Sequence, residues 1–168
     1  MKRALQHGVL LRWLLYAAPI LAANPNDIQK LKETRQCPNC DLTNADLAGA
    51  YLQQANLRGA NLEGVNLSGK TLTDGNMMGV NLRGLQIENV SLEKASLQGC
   101  NLQDARLKDV SLEKAHVQGT NLKEASLTTV SMEKANLQGC NLHQAAINES
   151  NFGKANLQGA NLHASTLT

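Results

Sequence analysis

The side chains able to do chemistry are few in this sequence, and most of them recur at one fixed spacing. Cys37 and Cys40 frame the tetrapeptide CPNC. A Cys-x-x-Cys pair serves thiol exchange in one context and a structural staple in another. Pro38 suits the second position of a β-turn, which keeps the flanking Cα atoms within about 7 Å, a separation compatible with a disulfide. Three readings of the pair stay open: a structural disulfide, two free thiols, and a redox-responsive switch. His143 and His163 stand twenty residues apart. Two imidazoles begin a metal site, but such a site takes three or four ligands, so both are read as solvated side chains. His116 carries no pattern. Glu93, Glu113 and Glu133 recur at the same spacing, as do Lys94, Lys114, Lys134 and Lys154. Gln98, Gln118, Gln138 and Gln158 form a third series, and Asn101, Asn121, Asn141 and Asn161 a fourth. No nucleophile has a histidine beside it, and no glycine-rich phosphate loop follows a strand. The reading is therefore of a protein that is not an enzyme, with no metal and no cofactor.

What must position these series is a repeat. From Leu42 to Leu167 every fifth residue is apolar, 26 positions without an exception. A second, smaller site lies two residues before each of them: Cys40, Ala45, Ala50, Ala55, Ala60, Val65, and later Ala95, Cys100, Ala105 and Val110. Lys70 is the clear misfit in that series. A period of five fits neither the 3.6 residues of a helix nor the 2 of a strand. It fits a coil in which each five-residue unit is one short side with a bend at its corner, and both the central and the small residue point inward. Glycine, asparagine and aspartate near the corners suit the bends.

The segments SLEKASLQGCNL (91–102), SLEKAHVQGTNL (111–122) and SMEKANLQGCNL (131–142) repeat every twenty residues. Four sides of five close one turn, so residue n stacks on n + 20 at the strand spacing of about 4.8 Å. The four series above become four ladders. Amide ladders hydrogen-bond along the stack, and the glutamate and lysine columns, side by side, offset each other's repulsion. With no loop interrupting the coils, no pocket is expected. Cys100 and Cys140 lie two coils apart in one inward column, about 9.6 Å, too far to bridge.

The units ADLAG, ANLRG, ANLEG, ANLQG and CNLQD resemble the pentapeptide-repeat family, written A-(D/N)-L-x-x. The resemblance covers residues 40–168 and implies an all-β solenoid, a right-handed quadrilateral β-helix of about six coils. Exported members of the family occur in the cyanobacterial periplasm and the thylakoid lumen, and the leader, CPNCDL and unbroken coils here are similar to that group. Its quinolone-resistance members act on gyrase as acidic DNA mimics in the cytoplasm.

The ends differ from the coils. MKRALQHGVLLR is basic, WLLYAAPIL is apolar, and AAN follows. This is an export signal over residues 1–23, and its apolar run of nine is too short for a bilayer span of about 20 residues. Cleavage is placed near Ala23, although Ile20 or Leu21 at the −3 position is larger than preferred. Any membrane contact is through this segment before cleavage, and the expected compartment is periplasm or thylakoid lumen. Removing Lys2, Arg3 and Arg12 from sixteen basic residues leaves thirteen against fourteen acidic ones, a net charge of −1. That excludes the basic footprint of a nucleic-acid binder and the dense acidity of a DNA mimic. Residues 24–39 are read as a cap helix over about 26–35 plus the CPNC lead-in, because Asn24–Asp27 carry helix-start chemistry and Ile28 and Leu31 share a face. The C-terminal coil has no such cap and is the expected site of homodimerisation. The expected partner is a protein, met by the lysine and glutamine columns.

Overall fold

The computed structural model describes residues 23–168. The export-signal assignment therefore lies outside the described residues except at Ala23. One helix, α1 (Pro25–Thr34), precedes the coils. The Asn24 side chain accepts the Asn26 N–H at 3.0 Å, and Pro25 starts the first turn, where its missing N–H costs nothing. Arg35 ends the helix in the left-handed region, φ 57°, with its N–H on the Leu31 carbonyl. Leu31 is fully buried and Ile28 packs partly beside it. The helix thus closes the N-terminal end of the core, one residue earlier at each end than the sequence suggested.

From Gln36 onward most residues before a central position pair in parallel with the residue twenty on, as Gln36 with Asn56, Ser91 with Ser111 and Asn141 with Asn161, but Asp46, Tyr51 and Asn66 in the first coils make no such bridge. One face carries short strands in sequence order, β1 (Gln86–Glu88), β2 (Arg106–Lys108), β3 (Ser126–Thr128), β4 (Ala146–Asn148) and β5 (Thr166–Leu167). Their register stacks Ile87, Leu107, Leu127, Ile147 and Leu167. The other three faces pair through single bridges, beginning at Gln36, Asp41 and Thr71. This is a right-handed quadrilateral β-helix, the hand expected of parallel crossovers. The ladder starts four residues ahead of Cys40 because Cys37, fully buried, already fills a central inward position.

The corner residue, two past each central one, lies at positive φ: Gly59 at 66°, Lys94 at 56°, Thr129 at 51°. Most corners are type II turns, closed by bonds such as Ala95 N–H to Leu92 O at 3.1 Å. A non-glycine corner costs about 1–2 kcal/mol, which the ladder bonds on both sides offset. The 22 central residues from Leu42 to Ile147 are all buried. Phe152, Leu157 and Leu162 are half-buried and Leu167 is 64% exposed, so the inward column opens to solvent in the last coil.

Candidate interaction faces

The charged columns lie on the face that bears Ser91, Ser111 and Ser131. Ser111 donates its hydroxyl to Glu93 at 3.3 Å, and Ser131 donates to Glu113 at 3.1 Å. Each carboxylate is thereby tied to the coil above. Lys94, Lys114, Lys134 and Lys154 occupy left-handed corners and are exposed. A corner residue projects away from the core, so the four ammonium groups form the outermost edge of this face. Only Lys134 closes an ion pair, with Glu133 at 2.7 Å. The hydrogen bond from that ammonium, then its charge, holds the Glu133 carboxyl below its usual value, and the same contact raises Lys134. Lys94, Lys114 and Lys154 have no salt bridge among the described residues. The mutual neutralisation expected of the two columns is thus realised at one step.

The adjoining face carries Gln98, Gln118, Gln138 and Gln158. The Oε1 atoms of Gln98 and Gln118 are buried with no donor, while Gln138 and Gln158 are exposed. These four glutamines form no ladder with one another, although Asn156 on the same face donates Nδ2–H to Asn136 Oδ1 at 3.3 Å. The asparagine column one face on behaves differently. Asn101, Asn121, Asn141 and Asn161 each donate Nδ2–H to the Oδ1 of the asparagine twenty residues earlier, at 3.2–3.3 Å. Each Oδ1 of Asn101, Asn121 and Asn141 also accepts the N–H two residues on. This column spends its hydrogen-bonding capacity on itself. His143 and His163 stack with ring centroids 5.4 Å apart, and no third ligand joins them among the described residues.

At the helix-to-coil joint the sulfurs of Cys37 and Cys40 are joined at 2.01 Å, with Cα atoms 5.3 Å apart. Asp27 places a carboxylate within 4.8 Å of both sulfurs, but joined sulfurs offer no thiolate to a metal. Cys100 and Cys140 are buried, and their thiols donate to Met77 O and Val117 O at 2.8 and 2.9 Å. Burial pushes these thiols up to about 12 and about 11. Thr120, between them in the column, donates to Leu97 O at 2.7 Å and is fully buried. A hydroxyl at an inward position is thus satisfied by the same bond the thiols make.

Family models describe the same repeat. Residues 40–77 match the model of pentapeptide repeats in eight copies, and residues 85–162 match that of a pentapeptide repeat region. The chain belongs to the pentapeptide-repeat family. Among solved structures it is similar to Rfr23 from the cyanobacterium Cyanothece 51142, at 21% identity and a TM-score of 0.52 over 85% of this chain and 98% of that one. It is also similar to trypsin-treated QnrB1, a plasmid-mediated fluoroquinolone resistance protein, at 19% identity and a TM-score of 0.55 over 79% of this chain and 82% of that one. These likenesses establish the shared fold. No curated protein sequence matches the chain. Pentapeptide-repeat proteins are in general structural or interaction modules.

One feature of this pentapeptide-repeat chain corrects the expectation that no pocket forms. A cleft of about 390 Å³ opens between Gly64–Ser68 and Gly84–Glu88 on the strand-bearing face. Above it the ladder is regular, with Arg106 N–H on Leu85 O at 2.8 Å and Ser126 N–H on Ala105 O at 2.9 Å. At the cleft Gln86 N–H does not reach Val65 O, and Leu67 N–H does not reach Gln86 O. The physical reason lies in the small-residue column. Lys70 stands where Ala50 and Val90 stand in neighbouring coils, and its ammonium escapes the core by donating to Leu47 O at 2.9 Å. Leu85 stands above Val65 and below Ala105, adding volume to a site built for one to three side-chain carbons. Both oversized side chains sit in the coils where the bonds are missing, while the same coils still bond through Gly69 N–H and Glu88 O at 3.0 Å. Lys70 was legible as a misfit. Leu85 was missed because leucine looks ordinary in a leucine-rich repeat, and only its register, two before Ile87, marks it.

Proposed function

We propose that this protein is a non-enzymatic interaction module of an exported compartment, presenting ladder faces to a protein partner. The observation that carries the reading is the lysine edge: four ammonium groups at successive coils, three of them without a salt bridge among the described residues. A surface held by the ladder meets a partner with little ordering cost on its own side. The partner face that fits is acidic and repeats at about the coil spacing of 4.8 Å. The neighbouring face extends the same surface with the exposed Gln138 and Gln158. Export rests on the basic-apolar-small order of residues 1–23, and the Cys37–Cys40 bridge suits an oxidising compartment. The half-buried Phe152, Leu157 and Leu162 offer an apolar face for a second copy.

The test is capture from the native compartment with wild type and with a variant changing Lys94, Lys114, Lys134 and Lys154 to Gln. The expected result is loss of the specific partner. An unchanged partner set removes the lysine edge from the proposal. Turnover that disappears on mutating Cys37 or His143 would end the non-enzymatic reading. A second reading, redox-regulated binding, draws on the position of Cys37 and Cys40 between helix and first coil: reduction there frees the joint that seats α1. The gyrase-interacting reading has less support, because the lysine edge and a net charge of −1 once residues 1–23 are removed are unlike an acidic DNA mimic.

A further inference from the structure

We infer that Asp27, Cys37 and Cys40 form a zinc site in the reduced protein, one that ties α1 to the first coil. Among the described residues theirs is the one group of three metal-ligating side chains that converge, with all three ligand atoms within 4.8 Å of one another. Zinc takes thiolates at about 2.3 Å and carboxylate oxygens at about 2.0–2.2 Å. A tetrahedral ion therefore sets its ligand atoms about 3.6–3.8 Å apart, inside the span these atoms already occupy. Cys-x-x-Cys is a ligand spacing of zinc sites as well as of disulfides. Cys37 is fully buried, Cys40 is 4% exposed and Asp27 is half-buried. The carboxylate side is thus the way in, and the fourth position there falls to water. Two thiolates beside one carboxylate select Zn2+ over magnesium or calcium, which take oxygen ligands.

The ligands are held without the S–S bond. Main-chain bonds to the next coil fix the CPNC turn, with Cys37 N–H on Asn56 O and Asn39 N–H on Arg58 O, both at 2.8 Å. On the helix side Asp27 Oδ2 accepts Asp41 N–H at 3.0 Å. Ligating carboxylates carry an outer hydrogen bond of this kind, and Oδ1 is left for the ion. Asp27 O lies 3.2 Å from Cys37 Sγ, so the first turn of α1 sits directly on that sulfur. Opening the disulfide takes two electrons and two protons from a thiol reductant, which leaves as its own disulfide. Binding Zn2+ then releases both cysteine protons to water. The disulfide joins residues three apart and staples only the turn, whereas the ion bonds helix and turn together. Oxidation and zinc are therefore mutually exclusive states of one joint. The inference needs only that the pair be reduced, and it rests neither on redox-regulated partner binding nor on the lysine edge.

The test uses the purified chain, reduced, desalted without oxygen and titrated with Zn2+ against a chromophoric chelator. One ion per chain is expected in the reduced protein and none in the oxidised one. Co2+ in place of Zn2+ should give a thiolate-to-cobalt charge-transfer band, which a site built on His143 and His163 could not. Asp27→Asn, whose amide oxygen still accepts Asp41 N–H, should weaken Zn2+ at least about tenfold and still form the Cys37–Cys40 disulfide. The double variant Cys100→Ala, Cys140→Ala removes the two buried free thiols and should bind as wild type does. Amide exchange in α1 should slow when Zn2+ is added to the reduced wild type, and stay unchanged in Asp27→Asn. The inference is overturned if the reduced chain binds no Zn2+ or the oxidised chain binds it equally. It is also overturned if cobalt shows no thiolate band, or if Asp27→Asn binds as tightly as wild type.

Discussion

Replacing Leu112 by Ala and, separately, Leu157 by Ala tests how burial is distributed along the rod. Both are central residues of identical pattern in the sequence. Leu112 is 1% exposed and stacks between Leu92 and Met132. Its walls are pinned, because Leu112 N–H bonds Ser131 O at 2.7 Å and Ser111 N–H bonds Val90 O at 3.0 Å. A cavity there cannot collapse, which places Leu112→Ala in the upper part of the Leu→Ala range, about 4 kcal/mol. Leu157 is half-buried in the last coil. It loses about half of a leucine's burial and leaves no enclosed void, so about 1 kcal/mol is expected. With a urea m-value of about 2 kcal/mol/M, the midpoints should fall by about 2 M and about 0.5 M. Urea titration followed by circular dichroism at a strand wavelength reads both. Equal losses at the two sites would refute the reasoning, since the packing argument makes coil position, not residue type, decide the cost.

Leu112→Asp is expected to prevent folding, because an unpaired carboxylate would enter the core; circular dichroism of the purified chain checks it, with Gln118→Ser as the near-neutral control. Mass spectrometry after alkylation without reduction should leave Cys37 and Cys40 unmodified, and reduction should lower the helical signal while the strand signal persists. Cys100 and Cys140 should resist alkylation at pH 8 in the folded chain and react after denaturation, since burial holds their thiols near 12 and 11. Glu133 is lowered by Lys134, so the pairing is present above the ordinary carboxylate pKa and is lost as pH falls through the lowered one. Lys134→Gln should move the Glu133 titration upward in a carboxyl-detected NMR series.

Fold was legible in the sequence to an unusual depth, because a solenoid writes its geometry once per side. The five-residue period placed Leu42 to Ile147 in the core, and the twenty-residue echo placed Asn101 beneath Asn121. The start of the ladder was less legible: Cys37 is central but is neither leucine nor flanked by the repeat's usual small residue, since Arg35 there is the helix cap. How far the ladders interact was not legible at all. Spacing alone treats the glutamine and asparagine columns alike, yet one more methylene carries the glutamine amides past the reach at which Asn101 and Asn121 bond. The cleft was half legible, since Lys70 broke the pattern openly and Leu85 did so only by register.

Self-saturation separates the faces of this rod better than polarity does. The asparagine column is as polar as its neighbours, but its amides already bond one another and the main chain, so a partner would have to break bonds to gain bonds. The net gain from a hydrogen bond is about 1 kcal/mol when made and more is lost when a buried group is left alone, so such a face has little to offer. The lysine edge is different, because Glu93 and Glu113 are engaged by Ser111 and Ser131, and only Lys134 of the four lysines closes an ion pair. In a fold whose surface repeats at every coil, recognition is therefore expected where the repeat is broken or incompletely bonded.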